Sequence, residues 1–279
     1  NKLLEHLRYD SDAAAAARNA PRIANCRKLF PRKFMQMLVL AARTFRGMME
    51  MRRQARNRRG NPVMCLSVSG VYRGAKRKGQ RDLYFQPLQQ RLGKDCVIVE
   101  RPALTGWDLR SLFLRKDVVF FDWALLQAAA QMIPRLAMVP AISGWESFKT
   151  KCRQVSFEGI STDLVLSIVE ESIHEVWRKV LIQVKASEVV LRRLKPRVVL
   201  TITSYDSAPR AMCLVARRRD VPVIELQHGL IGRSHVGYAY FLPANYQGEL
   251  PLPSKILVYG EAFKKAIIEA GNAFNAGMI

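Results

Sequence analysis

The sequence is poor in the features that mark the commonest small-molecule and redox enzymes. Its five cysteines, Cys26, Cys65, Cys96, Cys152 and Cys213, are scattered, with no CxxC spacing and no histidine close enough to complete a zinc pattern. A disulfide scaffold and a thiolate metal site are therefore disfavoured, and reduced, mostly buried thiols are expected. No secretory apolar core is present, and no apolar run nears the roughly 20 residues that a membrane span needs, so a cytoplasmic location is expected. There is no G-x-x-x-x-G-K-[ST] loop, no G-x-G-x-x-G fingerprint, no G-x-S-x-G elbow and no kinase set. P-loop hydrolysis of nucleoside triphosphates, NAD-dependent reduction and serine hydrolysis lose their usual supports. No cofactor is expected.

What is present is enough apolar material for a core and a large excess of positive charge. Hydrophobic residues make up 49% of the 279 residues, in regular blocks, so global disorder is not expected. Lys and Arg number 45 against 23 Asp and Glu, a formal net charge of +22. Such a balance attracts phosphates, whether of nucleic acid, of anionic lipid headgroups or of nucleotide-diphosphate donors. The charge is concentrated at one end: Arg52, Arg53, Arg56, Arg58 and Arg59 precede the first clear strand, and Arg73, Lys76, Arg77, Lys78 and Arg81 follow it. Nucleic acid is the weaker expectation, because no aromatic residue lies within Met51–Gly60 and no RNA-recognition, KH or zinc-finger pattern occurs.

Residues 1–60 read as a basic helical region. The apolar stretch Phe34–Ala42 invites two readings. In one, Phe34, Met35, Met37, Leu38 and Leu40 insert into a membrane surface while Arg32, Lys33, Arg43 and Arg46 meet headgroups. In the other, preferred here, the helix packs on the main domain with a solvated basic face.

From residue 61 onward the chain alternates strand and helix. Pro62–Ser69, Cys96–Glu100, Asp117–Phe121, Arg197–Ile202, Val221–Leu226 and Lys255–Tyr259 have the length and composition of buried strands. Helices are expected at Asp82–Leu92, entered through Pro87 and closed by Gly93, from Ala208 to Arg219, and at Glu261–Ala270. The longest helical pattern, Leu164–Leu194, places Ile173, Val176, Trp177, Val180, Leu181 and Val184 on one stripe, read as its core face. Trp123–Gly159, punctuated by Pro134, Pro140 and Gly144, reads as short helices and loops. The fold class is α/β, a Rossmann-like parallel sheet flanked by helices. Residues 61–245 are expected to form one such domain, and residues 246–279 to open a second.

Ligands of open parallel sheets bind beyond the carboxyl ends of the strands. Three strand ends carry chemistry: Thr203–Asp206, with Ser204 and Asp206; Gln227–His235; and Gly260-Glu261. In the second, His228 follows a buried strand and precedes Gly229, which lets backbone approach a ligand closely. His228 is a candidate general base for a hydroxyl acceptor. Gly229, Gly232 and the amides between them are candidates for an oxyanion or phosphate, with Arg233 as a cation. The plainer reading is a histidine satisfied by a neighbouring carbonyl, and the clustering of His235, Gly232 and Arg233 favours function. A metal at His228 and His235 is disfavoured by their spacing and by the lack of a Cys or carboxylate beside them.

Val221–Ile231, His235–Tyr238 and Lys255–Glu261 together resemble bacterial and archaeal surface-polysaccharide glycosyltransferases of the GT-B type, with P-x-[VI]-E-L-Q-H-G, then H-x-G-Y, then a strand and turn. Arg81–Leu88 is similar to the segment after their first strand. A fainter likeness is to the His-Gly motif of teichoic-acid glycerophosphotransferases. The specific motifs cover only residues 196–261. The resemblance implies an acceptor-side Rossmann-like domain followed by a donor domain, of which this chain is expected to lack most. It also implies transfer from a nucleotide-sugar to a glycan or lipid-linked acceptor at the inner membrane face. His228 would then be the base or a donor-phosphate contact, Gln227, Gly229, Arg233, His235, Tyr238, Ser204 and Asp206 would bind substrate, and Gly260 and Glu261 would meet the nucleotide. Polyol-phosphate transfer, nucleic-acid binding and a non-catalytic assembly role stay open as alternatives.

Overall fold

The structure is a computed structural model that describes residues 32–56, 60–68, 72–73, 81–101, 118–136, 144–154, 161–243, 245 and 250–279. The alanine run, Arg58, Arg59, Lys76, Arg77 and Lys78 lie outside them, as do the side chains of Arg32, Lys33, Phe34, Met35, Arg73 and Arg81.

Helix α1 (Arg32–Arg56) leads into β1 (Val63–Val68) at the centre of a six-stranded, all-parallel sheet. A two-stranded ribbon, β2 (Tyr72–Arg73) and β3 (Arg81–Asp82), precedes helix α2 (Gln86–Leu92). The sheet then grows outward through β4 (Cys96–Arg101) to its edge at β5 (Val118–Phe120). Helices α3 (Asp122–Leu136), α4 (Trp145–Arg153) and α5 (Thr162–Leu194) carry the chain back to β6 (Val198–Thr201), which pairs with the other side of β1. Helix α6 (Ser207–Arg217), β7 (Val223–Leu226), β8 (Lys255–Leu257) and α7 (Glu261–Ala270) complete the second half. Strand order is β5-β4-β1-β6-β7-β8, the doubly wound Rossmann-like order, and it reverses between β1 and β6. The expected α/β class is therefore the observed one. Residues 246–279, read from sequence as opening a second domain, supply β8, which pairs with β7 in this same sheet.

The strands are nearly continuous apolar runs because both faces are covered. Met64, Leu66, Val97, Val99 and Val199 pack on one side with Met51, Ala124, Val190 and Met212 from four helices. Val63, Cys65, Ile98 and Phe120 pack on the other with Phe85. A third cluster, Ile231, Tyr238, Ile256, Ile267 and Phe274, sits under the loop that follows β7.

Three details differ from the sequence reading. Arg43, placed on a solvated basic face in the preferred reading and at headgroups in the other, is buried: its Nε and Nη2 donate to Asp122 at 3.0 and 2.9 Å, and its Nη1 donates to Glu100 at 3.0 Å. Arg46, read the same way, stacks over Phe120, 5.6 Å from the ring centroid. Burial opposes the Arg43 charge, but the two carboxylates more than offset it and its pKa is raised. Gly47 lets α1 come this close, since a Cβ there would lie 2.4 Å from the Phe120 carbonyl. The core face of α5 is also shifted: Val176 and Trp177 are exposed, Val184 of the expected stripe packs on the main core, and the buried residues are Leu166, Ala186, Ser187, Val189, Val190, Leu191 and Leu194. Only the C-terminal half of that helix meets the main core cluster. Finally, α2 begins at Gln86 rather than Asp82, because Asp82 Oδ1 accepts from the Tyr84 and Phe85 amides and holds a turn.

Candidate functional site

Strand β7 reads Val-Ile-Glu-Leu, and its two inward positions are Val223 and Glu225. A fully buried carboxylate inside an apolar strand requires donors. Glu225 receives two, from the Ser204 hydroxyl at 2.5 Å and the Tyr238 hydroxyl at 2.6 Å. It has no ion pair among the described residues. Burial first, then the Glu225 charge and hydrogen bond, push the Tyr238 phenol well above its ordinary range, so it stays protonated as a donor.

Gln227 and His228 follow the strand end directly. Gln227 is buried, and its amide closes the loop on both sides: Nε2 donates to the Gly229 carbonyl at 2.7 Å, and Oε1 accepts from the Tyr259 amide at 2.7 Å. His228 is half-buried beyond it. Tyr84 donates its hydroxyl to the His228 carbonyl at 2.9 Å, and the Tyr205 hydroxyl lies 3.1 Å from His228 Nε2. His228 Nδ1 is buried, with no hydrogen-bond partner of ordinary geometry among the described residues. Burial is the largest influence on the ring and lowers its pKa; Glu225 and Asp206 raise it, His235 lowers it, and the Ile202 carbonyl favours the protonated ring. The net direction is down, so the imidazole is neutral at neutral pH.

The second histidine completes an aromatic wall. His235 Nδ1 accepts from the Gly237 amide at 3.1 Å, and its ring lies 5.2 Å from Tyr205 and 5.0 Å from Tyr238. Gly237 is where this wall demands a missing side chain: a Cβ there would be 2.5 Å from Tyr205 Cδ1. Next to Tyr205 in sequence, Thr203 and Asp206 take the guanidinium of Arg101 from the end of β4, which donates to Thr203 Oγ1 at 2.5 Å and Asp206 Oδ2 at 2.6 Å. These residues surround the point where strand order reverses, the usual crevice of an open α/β sheet.

The structure thus brings together His228, His235, Tyr205, Asp206 and Gly229. Ser204, Gln227 and Tyr238, read from sequence as substrate contacts, are buried with their polar groups taken by the protein, and they support the site from behind. Arg233 is exposed and paired with Glu269 at 2.5 Å, on helix α7 rather than at His228. Gly260 caps α7, its carbonyl accepting from the Phe263 and Lys264 amides, and Glu261 is exposed in the first turn. Both belong to the start of that helix, not to the group around His228. The cation held at the crevice is Arg101, already engaged by Asp206. Among the described residues, no three His, Cys, Asp or Glu side chains converge as a metal site.

Sequence reasoning alone misses Tyr84, Arg101, Tyr205 and Glu225. Glu225 carries a signal, a charge inside an apolar strand, and Tyr205 lies within one of the three strand ends singled out above. Tyr84 lies within Arg81–Leu88, singled out above only by resemblance, and Arg101 carries no signal; their partners are 144 and 102 or more residues away.

The fold is that of a Rossmann-like α/β protein with a histidine just beyond the carboxyl end of β7. Comparison with family models, with curated proteins and with solved structures finds no match.

Proposed function

We propose that this chain is a glycosyltransferase-like protein that directs a hydroxyl acceptor onto a nucleotide-sugar donor. The observation that carries the reading is His228: a neutral imidazole at the carboxyl end of β7, beside the crevice, held through both its carbonyl and its ring. A neutral histidine near neutral pH is the group suited to take a hydroxyl proton. In the step envisaged, the acceptor O–H proton passes to His228 as a new C–O bond forms at the anomeric carbon. The bond from that carbon to the diphosphate oxygen breaks, and its electron pair leaves with the nucleoside diphosphate. Transfer of a polyol phosphate to the same hydroxyl would use the same base.

Release of nucleoside diphosphate from a panel of sugar nucleotides, with and without glycan acceptors, tests this. His228→Ala is expected to lower release by roughly 10²–10⁴-fold, the usual contribution of a positioned base, with unchanged circular dichroism. A variant as active as wild type would remove His228 from the chemistry. Absence of both sugar-nucleotide binding and turnover in a version that carries the donor domain the resemblance implies would remove the transferase reading.

A lipid-linked acceptor at an anionic membrane surface is supported by α1. Away from the buried Val39, Arg43 and Met51, it exposes Met37, Leu38, Phe45 and Met49, followed by the exposed Arg52 and Arg56. Arg46, Met49, Glu50, Arg52, Arg53 and Arg56 line a groove of about 470 Å³ there. Apolar side chains ending in cations are what a phosphate-bearing lipid surface accepts. No helix among the described residues is long and apolar enough to cross the bilayer. Flotation with anionic vesicles is expected, weakening with salt and lost in Phe45→Ser/Met49→Ser; equal flotation with that variant would locate binding elsewhere.

A further inference from the structure

The His228 ring has one hydrogen bond of ordinary geometry among the described residues, and Tyr205 makes it. The Ile202 carbonyl also acts on the ring and favours its protonated form, so which nitrogen carries the proton depends on which way the Tyr205 bond runs together with that carbonyl acceptor. The Tyr205 phenol keeps its proton, because burial, Asp206 and Glu225 raise its pKa against a smaller opposing effect of Arg101. The ring of Tyr205 is itself constrained on several sides. It stands edge-on to Tyr238 at 5.7 Å and 77°, lies against His235, and occupies the space that Gly237 leaves by having no Cβ. The His228 backbone is fixed independently by Tyr84. Ring and backbone are thus held by two tyrosines from opposite sides of the strand-order reversal.

From this geometry we propose that Tyr205 is the positioning residue for His228, its hydroxyl donating to Nε2 and keeping the ring proton on Nδ1. Nε2 is then the basic nitrogen. An acceptor hydroxyl would replace the Tyr205 hydroxyl there, one O–H donor for another, and the ring would need no tautomer change before taking the proton. The inference rests on the transferase reading for its catalytic meaning, while the tautomer itself can be observed without any turnover. It also accounts for Gly237, which is small so that Tyr205 can stand where it does.

The test is two-bond ¹H–¹⁵N correlation of the histidine rings in ¹⁵N-labelled full-length chain, above the His228 titration, with His228→Gln identifying its signals. Wild type is expected to show His228 with Nδ1 protonated and Nε2 as a lone-pair nitrogen. In Tyr205→Phe, which keeps the ring and removes only the hydroxyl, both signals are expected to move toward the averaged positions of a freely exchanging imidazole. Gly237→Ala, which displaces Tyr205 with its hydroxyl intact, is expected to move them the same way. If sugar-nucleotide turnover is present, kcat should fall about tenfold in Tyr205→Phe, part of the roughly 10²–10⁴ a positioned base contributes, with KM little changed. Unchanged ring signals in Tyr205→Phe, or a wild-type Nε2 that carries the proton, would overturn the proposal. Ring signals that depend on Tyr205 in a protein with no turnover would count against the transferase reading alone.

Discussion

Strands β4 and β7 lie on opposite sides of the sheet centre, and each carries a buried glutamate near its carboxyl end. The two are served in opposite ways. Glu100 meets a guanidinium: Arg43 bridges it to Asp122 and lies over Phe120, 4.4 Å from the ring centroid. Glu225 meets two hydroxyls and no cation among the described residues. The first arrangement sets one guanidinium between two carboxylates and fastens α1 to the edge of the sheet. The second leaves a carboxylate's field to act on its neighbours, and those neighbours include His228, Tyr205 and Tyr238. One half of the sheet uses a buried acid for cohesion; the other keeps one beside its crevice. Side chains with the same formula acquire different roles from what the adjoining elements bring to them.

The largest effect expected from breaking this contrast is at Arg43. Arg43→Met retains much of the volume and removes the charge that Glu100 and Asp122 share. Loss of one member of a buried ion network costs about 3–5 kcal/mol. Chemical denaturation should show that loss at neutral pH, while the hydrogen bonds around His228, on the other half of the sheet, should hold. A loss below about 1 kcal/mol would place Arg43 among surface pairs, whose contribution is of that order, and would dissolve the contrast.

Much of the sheet is legible in the sequence because buried parallel strands declare themselves as short apolar runs between Gly, Pro and polar turns. Gly93, Lys94 and Asp95 form such a turn, and the run that follows, Cys96–Glu100, is β4 but for its last residue, Arg101. Val221–Leu226 likewise contains all of β7, and helix α7 begins and ends where its apolar spacing and Gly271 place it. The face of α5 is not legible in the same way. Val176 and Trp177 keep a helical rhythm, but periodicity defines a stripe and says nothing of whether another element covers it. In the site, His228 and its loop stand out from local pattern alone. The contacts that give His228 its properties do not, because Tyr84 and Tyr205 reach it from 144 and 23 residues away, and only the strand order brings them together.

A smaller and more informative effect is expected from Glu225→Gln, which removes the charge and nearly keeps the shape. Its amide can accept from one hydroxyl, while its NH₂ faces the donors that the carboxylate had satisfied. The resulting mismatch should cost roughly 1–3 kcal/mol at neutral pH, as for a buried polar group left without a partner. The field at His228 changes as well. Glu225 raises the pKa of His228 against the larger lowering by burial, so its loss should move the His228 titration further down. Because the folded ring binds its proton less readily than the unfolded one, the unfolded chain takes up more protons as pH falls below the ordinary histidine value, about 6.5. This contribution to stability is level above that pH and declines below it, and in Glu225→Gln the decline should continue to lower pH before levelling. Ring-proton titration of His228 by NMR, paired with denaturation between about pH 7 and 5, on either side of that value, measures both. A His228 that titrates at or above its wild-type pH in Glu225→Gln would mean that the buried acid of β7 does not act on the crevice, and the two glutamates would then differ only in how they are packed.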